Sequence, residues 1–70
     1  MTTVVSSLAQ VRRQQGVTQE ELAVAVGVSR QTIIAIEKGN YTPSVALALK
    51  LSHKFNIRVE QLFSLEESDD

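Results

Sequence analysis

Apolar side chains recur at three- and four-residue intervals along almost the whole chain, the spacing that lines one face of an α-helix. No internal repeat or low-complexity stretch interrupts the pattern. Start and stop residues divide it into five helical segments. The first runs from about Ser6 to Gln15, with Leu8 and Val11 on one face and Gly16 ending it. Thr18 suits the N-cap of a second, and Glu21 three residues on completes a capping box; this helix reaches about Val26 and stops at Gly27. Ser29 caps a third, whose inner face is Ile33 and Ile36. It ends near Glu37 or Lys38, before Gly39-Asn40, and Pro43 forbids continuation. Ser44 caps a fourth helix through about Phe55, with Asn56 suited to a left-handed C-terminal position. Val59 to Phe63 forms a short fifth turn behind Arg58, a poor N-cap, so that turn is expected to be short or frayed. The β-branched Thr3-Val4-Val5 reads in two ways, as a strand pairing with Phe63-Ser64-Leu65 or as an extended arm. The expected fold class is all-α, with that terminal β pairing as its one addition.

The spacing across the second and third segments carries the most information. From Gln19 the chain reads QEELAVAVGVSRQTIIAIEK, with apolar residues at Leu22, Val26, Val28, Ile33 and Ile36 and the small Ala23 and Gly27 between them. Two helices that cross at roughly 90–120° through a three- or four-residue turn must approach closely. Ala23 suits that crossing, where a larger side chain would push the helices apart. Gly27 supplies the positive φ of a tight turn. Val28 plugs the turn from below, and Leu22, Val26, Ile33 and Ile36 form the shared core. This is the pattern of a helix-turn-helix. A generic helical hairpin needs neither the Ala nor the Gly.

Through the segments VRRQQGVTQEELAVAVGVSRQTI, IEKGNYTPS and LALKLSHKFNI, the sequence resembles the phage Cro and CI-type repressor domains, also called the xenobiotic-response-element family. The resemblance covers about Leu8 to Phe63 and is strongest to small stand-alone bacterial regulators. It implies a five-helix, lambda-repressor-like bundle that binds operator DNA as a homodimer. It further implies that Arg12 pairs with Glu37, tying the first helix to the third, and that Gln19 points at a phosphate from the start of the second helix, where the dipole favours an anion.

In a helix-turn-helix the second helix lays its N-terminal residues against base edges in the major groove. Here that helix is about Ser29 to Lys38. Arg30 suits guanine O6 and N7, and Gln31 suits adenine N6 and N7. On an isolated surface helix both would be solvated; inside this pattern base contact is expected. Ile34 and Ala35 follow one turn on, where an outward Ile meets a thymine methyl. Ser29, Thr32, Lys38, Asn40 and Tyr41 are expected along the DNA backbone with Gln19, although Tyr41 equally suits packing against Pro43. Arg13 reads as an exposed charge.

Composition then bounds the picture. Seventy residues make one domain, and a chain this small buries only about 60% of its unfolded surface. It has no cysteine to staple it or hold a metal, so helix packing or oligomerisation must help. The fourth helix, VALALKLSHKF, is apolar on more than one face: Val45, Ala48, Ser52 and Phe55 make one stripe, Leu47 and Leu51 another, and Leu49 stands apart. The surplus, taken as Leu49, Phe55, Leu62, Phe63 and Leu65, reads as a homodimer interface, the alternative being a fully buried central helix in a monomer. Net charge is −1, but the terminal EESDD holds four of the eight acids, leaving seven bases against four acids elsewhere. Residues 1–65 are therefore expected as a mildly basic, double-stranded-DNA-binding domain and residues 66–70 as an acidic tail.

No signal peptide, membrane span or small-molecule site is expected, which fits a cytoplasmic protein. An enzyme is excluded on inventory: His53 is the one histidine, and there is no Gly-rich phosphate loop, metal-binding pair or cofactor signature. The remaining alternative is a protein-interaction module of the same fold, an antitoxin or anti-repressor. The absence of any acid between Glu21 and Glu37 favours DNA.

Overall fold

The computed structural model describes residues 2–67. Strand β1 (Thr2–Ser6) leads into five helices: α1 (Leu8–Gln14), α2 (Gln19–Val26), α3 (Arg30–Glu37), α4 (Val45–Phe55) and α5 (Val59–Leu62). Strand β2 (Phe63–Glu67) follows and pairs antiparallel with β1.

Helix starts follow local hydrogen-bond chemistry. The hydroxyls of Thr18, Ser29 and Ser44 accept from the backbone N–H of Glu21, Thr32 and Leu47, at 3.0, 3.2 and 3.1 Å. Glu21 Oε1 accepts from Thr18 N–H in return, completing the capping box of α2. Glu21 thereby has its pKa lowered, first by the Thr18 backbone N–H and then by its hydroxyl. Helix ends use left-handed residues: Gly27 at φ 76° and Asn56 at φ 55°.

Two boundaries move from their expected places. Helix α1 starts at Leu8, not Ser6, because Ser6 pairs with Phe63 in the sheet and Ser7 N–H donates to Leu62 O at 2.7 Å. Helix α5 ends at Leu62, since Phe63 turns extended to enter β2. Gln61 Oε1 accepts from Arg58 N–H at 2.9 Å, supplying the cap partner that Arg58 cannot. The sheet carries on to Glu67, so the first two acids of the expected 66–70 tail belong to β2. The rest of that tail lies outside the described residues.

The core gathers Leu8, Leu22, Ala23, Val26, Ile33, Ile36, Leu47, Leu51, Phe55 and Leu62. Val28 packs against it from the turn. Helix α4 presents Leu47, Leu51 and Phe55 inward at four-residue intervals, with Ser52 beside them donating its hydroxyl to Ile57 O. Phe55 and Leu62 are 3% and 0% exposed. They are core residues, so their expected place in a dimer interface is corrected: one helical face of α4 is spent inside the monomer. Val45 is exposed, so the stripe of Val45, Ala48, Ser52 and Phe55 is not buried along its whole length. Leu49, at 47% exposed, and Leu65, at 71%, remain on the surface, with Phe63 half-buried against the core.

Ala23 lies buried at 2% exposure in the core shared by α2 and α3. Ala23→Leu is expected to destabilise the fold by about 1–3 kcal/mol through over-packing. Each kcal/mol lowers the melting temperature of a domain this size by roughly 4–8 °C. An unaltered melting curve would contradict the close crossing.

Candidate nucleic-acid interface

Helix α3 buries Ile33 and Ile36 and leaves its first turn outward. Arg30 and Gln31 are exposed there, and Ile34 and Ala35 one turn on are half-buried. The two groups are consequences of one periodicity: committing positions 33 and 36 to the core turns 31, 34 and 35 away from it and leaves 30 at the flank. Ser29 is occupied as the cap of α3, its Oγ also lying 3.1 Å from Thr32 Oγ1. Lys38, Asn40 and Tyr41 are exposed beyond the helix end, with Asn40 N–H donating to Ala35 O at 2.9 Å. Tyr41, 49% exposed, is not enclosed by the loop.

Arg12 and Glu37 meet across α1 and α3. Arg12 Nε donates to Glu37 Oε2 at 2.6 Å, Nη2 to Oε1 at 3.3 Å, and Nη1 to Val17 O at 2.9 Å. The side chains are 10% and 6% exposed, so this is a buried pair with a planar fork against a carboxylate. Burial pushes the Glu37 carboxyl up. The hydrogen bonds from Arg12 and Gln19, with the charges of Arg12 and Arg13, outweigh burial and hold it below the ordinary glutamate value.

The spacing of the sequence did not indicate what joins this pair to the α3 surface. Gln19, the first residue of α2, donates from Nε2 to Glu37 Oε1 at 3.0 Å. Its Oε1 faces Arg30, whose Nε and Nη2 each lie 3.4 Å away. A cleft of about 450 Å³ opens beside this chain of contacts, lined by Arg12, Arg13, Gly16 to Glu20 and Arg30. Helix α2 points its N-terminus into the cleft's wall, and the Gln19 and Glu20 N–H groups there have no intrahelical acceptors, that of Glu21 being taken by the Thr18 hydroxyl. With Arg12 committed to Glu37, the available positive charge is that of Arg13 and Arg30, opposed by Glu20 at the rim. Arg13 is the lining residue that periodicity left as a plain surface charge; its place beside Gly16, where α1 ends, is the signal that would have found it.

Among the described residues, no helix is long and apolar enough to cross a membrane. A helix-turn-helix family model matches residues 8–62. The chain is 50% identical over 58 residues to a protein of Archaeoglobus fulgidus described as an uncharacterised helix-turn-helix-type transcriptional regulator, covering 83% of each chain. It is 30% identical over 64 residues to the cryptic phage CTXphi transcriptional repressor RstR of Vibrio cholerae, covering 91% of this chain and 58% of that one. Among solved structures it resembles the restriction-modification controller protein C.AhdI of Aeromonas hydrophila, with a TM-score of 0.74 and 32% identity over 80% of this chain and 85% of that one.

Proposed function

Because the chain belongs to the helix-turn-helix family of transcriptional regulators, we propose that it is a repressor that binds a palindromic operator as a homodimer. The observation that carries this reading is the outward first turn of α3, where Arg30 and Gln31 stand exposed on a helix whose other face is locked into the core. Arg30, Gln31, Ile34 and Ala35 meet base edges in the major groove. Gln19, through its backbone N–H at the start of α2, and Ser29, Thr32, Lys38, Asn40 and Tyr41 follow the phosphates. The cleft at the N-terminus of α2 suits one of those phosphates, since free N–H groups and the helix dipole both favour an anion.

The repressor reading is supported by the named function of the phage relative. A homodimer is supported by the exposed Leu49 and Leu65 and by the small size of the core. Two-fold symmetry would set the recognition helices about 34 Å apart, one turn of DNA. Residues 1–65 carry this function, in the cytoplasm.

Selection from a random DNA pool with purified protein at moderate salt tests the reading. Enrichment of a palindrome with half-sites about 10 bp apart is expected. No enrichment by a folded sample would turn attention to a protein partner instead. On the selected site, Gln31→Ala is expected to relax preference at one base position by about 1–3 kcal/mol. Lys38→Ala is expected to weaken binding to all sequences about equally, because its contact is to the backbone. Competition binding against single-base operator variants separates the two patterns.

A further inference from the structure

We propose that Glu37, which lies too deep to touch DNA, is a positioning residue for DNA recognition: through Gln19 it sets the aim of Arg30. The inference rests on the reading of Arg30 as a DNA contact.

The chemistry of the amide makes the coupling directional. A carboxylate only accepts hydrogen bonds, so Glu37 Oε1 must engage the NH2 end of Gln19, as it does at 3.0 Å. That fixes the amide with its carbonyl outward. The outward carbonyl is the end that a guanidinium seeks, since Arg only donates. Arg30 Nε and Nη2 both lie 3.4 Å from that oxygen. Glu37 is itself fixed by Arg12 through two donors. An ordered line therefore runs from the buried pair at α1 and α3, through the first residue of α2, to the first residue of α3.

The end of that line is soft. The Arg30 contacts are long, and the side chain is exposed. A free arginine side chain samples many rotamers, and confining it before binding reduces the entropy lost when DNA arrives. The relay thus holds the guanidinium near its working position without a bond strong enough to compete with DNA. An unpaired surface arginine would lack this preparation.

The test is a double-mutant cycle between residues that share no contact. Glu37→Gln and Arg30→Ala are measured singly and together for affinity to the operator obtained by selection. Glu37→Gln can present its own NH2 group to Gln19, so the amide of Gln19 loses its enforced direction. Arg30→Ala is expected to cost less in the Glu37→Gln background than in the wild type, by on the order of 2- to 10-fold. Strictly additive losses would overturn the relay, because a merely structural Glu37 lowers stability without changing what Arg30 is worth.

Should Glu37→Gln fail to fold, Gln19→Met replaces it and leaves the Arg12–Glu37 pair intact. The same non-additivity with Arg30→Ala is expected there, and additivity again overturns the proposal. The free protein gives an independent readout. The Arg30 Nε–H resonance is expected to shift on Gln19→Met and on any folded Glu37 variant, whereas an unmoved resonance counts against the relay. That resonance is read without DNA, so failure of the relay is distinguishable from failure of operator binding.

Discussion

Replacing Arg12 by Ala is expected to cost about 3–5 kcal/mol of folding stability, the usual consequence of removing one partner from a buried ion pair. For a domain with roughly 0.05–0.15 kcal/mol per residue in hand, that loss removes a large share of the total. Glu37 would be left with its side chain 6% exposed and only Gln19 as a donor, and Val17 O would lose its bond from Nη1. The pH dependence carries the sign. In the wild type the Glu37 carboxyl is held below its ordinary value, so its contribution is present above the unfolded-state value, about 4.3, and is lost as pH falls through the lower folded value.

Without Arg12 the burial that opposes ionisation is left with fewer counterweights, and the folded-state value rises. The deficit of Arg12→Ala is therefore expected to shrink between pH 7 and about pH 5, as the carboxyl protonates in the folded state before it would in the unfolded one. Urea unfolding at the two pH values measures both effects. A double variant, Arg12→Met with Glu37→Leu, is expected to recover most of the stability, because apolar side chains of similar volume need no counter-charge. It is not expected to recover DNA affinity in full, since Gln19 would no longer have a carboxylate to orient it. A cost below about 1 kcal/mol for Arg12→Ala would mean that the pair behaves like a surface one.

The helix-turn-helix itself was legible because its determinants are local. Thr18, Ser29 and Ser44 each cap the helix that follows, and Gly27 and Asn56 take the left-handed conformations their side chains allow. Ala23, Ile33 and Ile36 announce their burial by spacing alone. Of the two readings open for Thr3-Val4-Val5, the strand pairing is the one present, with Val4 opposite Leu65 and Ser6 opposite Phe63. What local pattern could not give was the division of apolar side chains between a core and a surface. Phe55 and Leu62 look identical in sequence to candidates for an interface. Only the packing of α5 against α4 buries them. The Gln19 relay was hidden for a related reason. Its four residues come from three separate helices, and no spacing rule joins positions 12, 19, 30 and 37.

Phe55→Ala is expected to destabilise the monomer by about 3–5 kcal/mol, the range for removing a buried aromatic ring. The ring is 3% exposed in the monomer, and the carbonyl of the same residue accepts from Gln15 Nε2 at 3.1 Å. Losing the side chain would leave a cavity where α4 meets the rest of the core and loosen the backbone that Gln15 grips from the end of α1. The position in the monomer fixes how this loss must depend on concentration. Association of folded monomers raises the apparent stability as protein concentration rises. A residue buried inside each monomer costs the same at low and high concentration, whereas an interface residue costs less as dilution separates the subunits. The melting-temperature deficit of Phe55→Ala is thus expected to persist at the lowest measurable concentration. Leu65→Glu on the exposed end of β2 is expected to do the reverse, sparing the dilute melting temperature and abolishing its rise with concentration. A Phe55→Ala deficit that vanished on dilution would return this ring to the interface and require a different path for α4 through the core.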